Sequence, residues 1–413
     1  MTAPTNKIPL LPVSEALARI LATAASPLPA EMVPLAQAHR RTLAENLVAS
    51  RDQPPFAASA MDGYAVRAAD VAHTPATLRL IGTSAAGHAF SGALAPGEAA
   101  RIFTGAPMPA GADTIIIQED TVVGDGAVTI NEGSPAGRHV RPAGLDFATG
   151  ELLMRAGHRL STRDLALAAA SGFAYVPVRR RPRVAILATG DELVRPGDKL
   201  GADQIVASNT YAVAAMVRAA GGEAIDLGIA RDDLEETRSA IGKAFEEKVE
   251  ILVTLGGASV GDHDLVQEAL TGAGMELGFW RIAMRPGKPL MHGALNEMGV
   301  LGFPGNPVSS MVCALIFLRP LIRALMGDKD AGADPTRPAI LGADVAKNDQ
   351  RQDYLRATIE KGTSPPVVIP FARQDSSMMG VFARADALIL REIHAPAAKP
   401  GDACRAILLD EWE

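Results

Sequence analysis

Between residue 183 and about residue 326 the chain alternates two kinds of apolar pattern. Residues 184–188, 251–253 and 300–303 are short runs without a polar position, and 224–228 is a further short run interrupted by Asp226. Residues 209–220, 232–247, 265–270 and 308–326 place apolar side chains at helical spacing. The first set predicts strands and the second helices. Near-continuous apolar strands separated by helices predict a parallel sheet covered on both faces. Ser208 or Asn209 is placed to cap the helix over 209–220, and Gly221-Gly222 to stop it.

The flanking regions read differently. Ser14 can cap a first helix with Leu17, Ile20 and Leu21 on one stripe, and 35–47 predicts a second. Pro54-Pro55 forbids a helix there. From 76 to 159 the chain is glycine-rich and strand-like, with runs at 78–81, 112–117 and 127–130. Residues 161–171 predict a helix, with Ser161 and Asp164 at capping-box spacing and Gly172 to end it. Arg179-Arg180-Arg181-Pro182 reads as a polar boundary, and 328–338 as a linker. Beyond it, runs at 354–359, 367–371, 388–390 and 404–409 predict a small β-barrel or sandwich.

Composition bounds these readings. A chain of 413 residues suggests two to four domains, and 48% hydrophobic residues allow sizeable cores. Aromatics at 4% and a net charge of −7 argue against a nucleic-acid binder. Cys313 and Cys404 read as buried free thiols, with no Cys-x-x-Cys pair to hold zinc. No signal peptide is visible, and no run approaches the ~18 apolar residues of a membrane span. A cytoplasmic protein, without a membrane partner, is the expectation.

Three predicted strands end in unusual loops: 189–193, 254–264 and 304–310. In parallel α/β sheets, ligands bind outside the carboxyl ends of the strands. Three such ends on one edge would line one pocket. Gly256, Gly257 and Gly261 allow close backbone approach, Ser259 offers a hydroxyl, and Asp262 and Asp264 bring carboxylates. With Glu192 and Asp232 as further acids, and Arg281, Arg285 and Lys288 as bases, the set fits a magnesium–phosphate site. Asp262 and Asp232 also read as helix caps, Asp62 as a turn residue, and 138–146 as a solvated charged loop. There is no P-loop, and no Gly-x-Gly-x-x-Gly follows the first strand. Ser259 lies in a Gly-x-Ser-x-Gly string, but neither His292 nor His394 has the context of a hydrolase partner.

Several segments together resemble the molybdopterin molybdenumtransferase family, which includes MoeA and the E domain of gephyrin. They are Ser59-Ala60-Met61-Asp62-Gly63-Tyr64-Ala65, 101–113, 189–193, Ser208-Asn209-Thr210, 254–264, 284–289, 302–309 and 351–356. The likeness spans nearly the whole chain. It implies an α/β multi-domain fold: an elongated helical part (1–52 and 143–181), an inserted β-rich domain (53–142), the α/β domain (182–328) and a C-terminal β-barrel (336–413). It implies insertion of molybdenum from molybdate into adenylylated molybdopterin, with Mg2+-dependent cleavage and release of AMP. It implies a homodimer with an intersubunit site, and a molybdopterin adenylyltransferase and molybdoenzymes as partners. Residue by residue, Asp62, Thr104, Asp146, Glu192, Asp232 and Asp264 fall on catalytic positions, with Asp62, Glu192 and Asp264 toward the metal. Lys288, Ser309, Arg351 and Ser376 match molybdate-associated positions. Gly256, Gly257, Ser259, Gly261, Arg281, Arg285, Pro304, Asn306 and Pro307 match ligand-binding ones. The family often has lysine where this chain has Arg281 and Arg285, and around Ser376 the match is loose: Gly380 replaces a serine. Two other readings are a molybdopterin adenylyltransferase, which shares the α/β domain, and a non-catalytic scaffold of gephyrin type.

Overall fold

The computed structural model describes residues 10–257, 265–360 and 362–410. The chain divides into two compact units. The first comprises Met1–Glu31, Arg40–Ala44 and Val178–Glu413, the second Met32–His39 and Glu45–Pro177.

The first unit contains the predicted α/β sheet. Its strands are β1 (Arg183–Thr189), β2 (Glu223–Ala230), β3 (Ile251–Leu255), β4 (Glu276–Phe279), β5 (Met291–Leu295) and β6 (Met298–Phe303). They lie in the order β2-β1-β3-β6-β5-β4. The first four are parallel. β5 runs antiparallel to both of its neighbours, β6 and β4, which corrects the wholly parallel expectation. β5 and β6 form a hairpin that turns at Asn296, with φ 56°. His292 and Gly293 break the β-propensity of 291–295, so that run does not read as a strand.

Alternate residues of the central strands enter two different cores. Val184, Ile186, Ile251, Val253, Leu301 and Phe303 face one side, packed by Val213, Val217 and the 307–325 helix. Ala185, Leu187, Leu252 and Val300 face the other, packed by Ile241, Ala244, Ala269 and Leu270. Period-two side chains with both faces buried explain the unbroken apolar runs.

The helical run Pro307–Leu325 is 19 residues long with a mean hydropathy of 1.7, and 78% of its apolar window is buried. The sequence expectation that no run reaches a membrane-span length is therefore corrected. Burial against the sheet makes this the core helix of the α/β domain.

The same unit holds a closed five-strand barrel. Its strands are β7 (Arg337–Leu341), β8 (Gln352–Glu360), β9 (Val367–Pro370), β10 (Ala387–Arg391) and β11 (Ala403–Leu408). Pairing runs β8-β9-β7-β11-β10 and returns to β8. Ala339, Leu341, Ala357, Val368, Ala387, Ile389 and Ala406 fill it. Small residues suit so narrow an interior.

The second unit is built on a six-stranded sheet that includes Gly63–Val66, Ala76–Ser84, Glu98–Ile102 and Thr114–Ile117. Tyr64, Val66, Leu78, Ile116, Val128 and Ile130 form its core. The helix Thr162–Ala170 has the predicted reciprocal capping box between Ser161 and Asp164. Three local expectations fail. Residues 35–47 make only a 3-10 turn, Leu35–Gln37, and a short strand, Leu47–Val48, because Arg40 takes φ 60° and ends any helix. Ser14 sits inside a helix that begins at Val13 behind Pro12. Neither Ser208 nor Asn209 caps the helix Asn209–Ala220 with its side chain, although Gly221 does end it at φ 106°.

Candidate functional site

Register brings the three strand ends together. Ala188 pairs with Leu255, and Leu255 with Phe303. The segments that follow, Thr189-Gly190, Gly256-Gly257 and Pro304-Gly305, line one cavity of about 700 Å³ with Glu192, Asn209, Asp232, Asn306, Pro307 and Ser377. Gly256 has φ +104°, and a Cβ there would stand 2.7 Å from the Thr189 carbonyl oxygen. Gly257 has φ +65°, and its Cβ would stand 2.3 Å from Val266. Only glycine fits either position without displacing backbone or core.

Hydrogen bonds fix the opposite wall. Asn209 Nδ2 donates to the Gly305 carbonyl at 2.7 Å, so its side chain ties the helix to the last loop instead of capping. Ser310 Oγ donates to the Pro304 carbonyl. Asn306 Nδ2 donates to Ser376 Oγ at 3.0 Å, and the Val308 amide donates to the Ser376 carbonyl at 3.1 Å. Ser376 therefore holds the loop, while its neighbour Ser377 lines the cavity. Ser309 is buried in the first turn of the helix Pro307–Cys313.

The acids separate cleanly. Asp233 caps the helix Leu234–Glu246 by accepting from the Glu236 amide at 2.8 Å. Asp232 is thus free of the capping role, and it lines the cavity with Glu192. Both are exposed, and neither has an ion pair among the described residues. Ser259, Gly261, Asp262 and Asp264 lie outside the described residues. The expected mixed-charge pocket is corrected, because no Arg or Lys is among the described lining residues.

The basic residues are placed elsewhere in the unit. Arg281 is exposed beside the Trp280 ring at 6.0 Å, and Lys288 is exposed one residue before the lining Pro289. Arg285 is paired with Asp353, and its Nη1 donates to Asp349 at 3.3 Å. Arg351 Nη2 donates to Asp349 at 2.9 Å, so one carboxylate joins both arginines. Bonding to Asp353 raises the Arg285 pKa above its ordinary value. Burial raises that of Asp353, outweighing the Arg285 bond that pulls it down. Asp349 is held below the usual carboxylate range, chiefly by the Arg351 bond.

In the second unit, Asp62 and Thr104 meet although 42 positions apart. Asp62 Oδ1 accepts from the Thr104 amide at 2.7 Å and from its hydroxyl at 2.8 Å. These two bonds hold the exposed Asp62 carboxyl below its ordinary pKa. Asp146 is exposed, and its amide donates to the Gln53 carbonyl at 2.8 Å. Asp52 repeats the bracket: its Oδ1 accepts from the Thr149 amide and hydroxyl, both at 2.7 Å, pinning the loop that carries Asp146. Sequence reasoning missed Asp52, Asp349, Asp353 and Ser377. The one available signal was proximity to chosen residues, because each acts through a partner brought in by the fold.

Residues 11–172 match the MoeA N-terminal region (domains I and II), 185–324 a probable molybdopterin binding domain, and 338–409 the MoeA C-terminal region (domain IV). A molybdopterin molybdenumtransferase of Haemophilus influenzae is 33% identical over 387 residues, 93% of this chain and 95% of that one. The chain belongs to the molybdopterin molybdenumtransferase family. Membership makes it an enzyme, a transferase of molybdenum cofactor biosynthesis. The Nostoc family member is 39% identical over 79% of this chain and 76% of its own length. The solved structure of the Pyrococcus horikosii molybdopterin biosynthesis MoeA protein superposes with a TM-score of 0.81, at 31% identity, covering 97% of this chain and 99% of that one.

Proposed function

We propose that this enzyme inserts molybdenum from molybdate into adenylylated molybdopterin, opening the phosphoanhydride with Mg2+ and releasing AMP. The observation that carries the proposal is the strand-end pocket. Glycine turns let main-chain groups approach a phosphate, and Glu192 and Asp232 stand on the same wall. Hard carboxylate oxygens suit Mg2+, which keeps waters and substrate oxygens in its shell. Among the described residues no group of three or more His, Cys, Asp or Glu could cage a metal by itself. Glu192, with Asp264 as the resemblance implies, would hold it; when bound, it would offset phosphate charge.

The chain's own residues have distinct tasks in this reading. Gly256 and Gly257 admit the phosphate, Asn306 and Pro307 shape the wall, and Ser376 fixes Asn306. Lys288, Ser309 and Arg351 receive the molybdate oxygens, with cationic and hydroxyl donors matched to an oxyanion. The working form is a homodimer, which light scattering on the purified chain tests directly.

The deciding measurement is molybdate-dependent AMP release from adenylylated molybdopterin with Mg2+. Asp264→Asn is expected to lower it by about 100-fold. Unchanged release would remove that carboxylate from the mechanism. Pyrophosphate release from ATP and molybdopterin without molybdate would identify an adenylyltransferase instead. Neither activity in a folded dimer would leave the scaffold reading.

A further inference from the structure

A second cavity of about 730 Å³ lies against the barrel and shares no lining residue with the strand-end pocket. Its charged lining comprises Arg285, Lys347, Arg356 and Arg391 against Asp344 and Asp353. The two carboxylates are already engaged, Asp353 by Arg285 and Asp344 by Lys399 at 3.2 Å. Lys347, Arg356 and Arg391 have no carboxylate partner among the described residues.

Arg356 is the decisive group. It is 1% exposed, yet among the described residues its one side-chain hydrogen bond runs from Nη2 to the Asp375 backbone carbonyl at 3.1 Å. Its Nε is buried without a partner. The Asp375 carboxylate accepts from the Ser377 amide at 2.8 Å and hydroxyl at 2.6 Å, and acts on Arg356 only by its charge, without a hydrogen bond to it. Arg391 repeats the pattern: Nη2 donates to the Pro396 carbonyl, and Nε is buried and unpartnered. Burying a charge without a hydrogen-bonded carboxylate is costly, and burial draws the Arg356 pKa below its ordinary value, outweighing the pull of the Asp375 charge. Lys347 adds an exposed ammonium at the same cavity.

We propose that this cavity binds a small tetrahedral oxyanion, free or as a phosphate ester, on Lys347, Arg356 and Arg391. Three cations without an ion-paired carboxylate among the described residues, around one concave space, attract multivalent anions from any source. The guanidinium fork of Arg356 favours an oxyanion over a halide. The three cations named lie outside the strand-end pocket.

Isothermal titration of the full chain with inorganic phosphate tests it. Saturable binding is expected, about tenfold weaker in Lys347→Ala/Arg391→Ala, since two charged donors are removed. Glu192→Gln, in the other pocket, is expected to leave it unchanged. Displacement of phosphate by AMP would assign the site to phosphate esters. Displacement by sulfate or molybdate but not AMP would assign it to free oxyanions, and either result supports the site. If the double variant unfolds, the surface change Lys347→Glu decides, with an expected loss of at least about threefold. Absence of saturable binding overturns the proposal. So does phosphate binding that Lys347→Glu and the double variant leave intact, or that Glu192→Gln abolishes.

Discussion

The strand-end pocket and the barrel cavity belong to one unit and have nearly equal volumes, about 700 and 730 Å³, but opposite electrostatic designs. The first offers carboxylates, glycine turns and no cation among its described lining residues. The second offers cations that outnumber their carboxylates. A carboxylate wall favours phosphate only when a cation accompanies it, whereas the barrel cavity can attract an anion unaided. The difference teaches that charge sign at a cavity follows from which side chains are already spent. Asp233 is spent on a helix end and frees Asp232. Asp353 is spent on Arg285 and leaves Arg356 and Arg391 without an ion-paired carboxylate among the described residues.

The strongest test of this contrast is Glu192→Gln, expected to cut molybdate-dependent AMP release by about 100-fold, or ~3 kcal/mol of transition-state stabilisation. Steady-state assay at saturating Mg2+ checks it. Restoration by excess Mg2+ would show that the carboxylate is not needed on the reacting group.

Acid should act next. His292 is 5% exposed, packs against Phe279 at 5.2 Å between ring centroids, and has no hydrogen bond to either ring nitrogen. Burial lowers its pKa from 6.5 to about 4. The folded form therefore binds this proton less readily than the unfolded chain. The stability that this provides is full above pH 6.5 and is lost as pH falls toward about 4. The loss is on the order of 3 kcal/mol. Trp280 fluorescence during urea unfolding across that window reads it, and His292→Leu should flatten the slope.

Arg285→Ala should destabilise the barrel by about 1–2 kcal/mol, because it strands the nearly buried Asp353 carboxylate while Arg285 itself is half exposed. Adding Asp353→Asn should recover part of the loss in a thermal melt. The smallest effect is expected of Asn209→Ala, which removes the Gly305 bond and should cost about 1 kcal/mol. A larger fall in activity than in stability would place Asn209 in shaping the phosphate loop.

Much of the α/β domain was legible because its pattern is local. The runs 184–188, 251–253 and 300–303 became β1, β3 and β6, and three strand ends do line one cavity. The antiparallel edge was not legible, since His292 and Gly293 dilute β5. Charge placement was legible least. Arg285 and Lys288 stand two and five residues beyond the buried Ala283, yet neither lines the pocket predicted for them. The Asp62–Thr104 bracket joins residues that no periodicity links, and only the resemblance singled them out.

By itself the sequence determined where strands and helices form, which loops need glycine, and which family the segments resemble. Those features depend on neighbours within a few turns or strands of chain. Only the tertiary structure decided which charges remain available. An ion pair such as Arg285–Asp353 spans 68 positions, and the burial of Arg356 is a property of the closed barrel, not of any segment. Desolvation and pairing act through space, so the same arginine is a spent side chain in one fold and an anion trap in another.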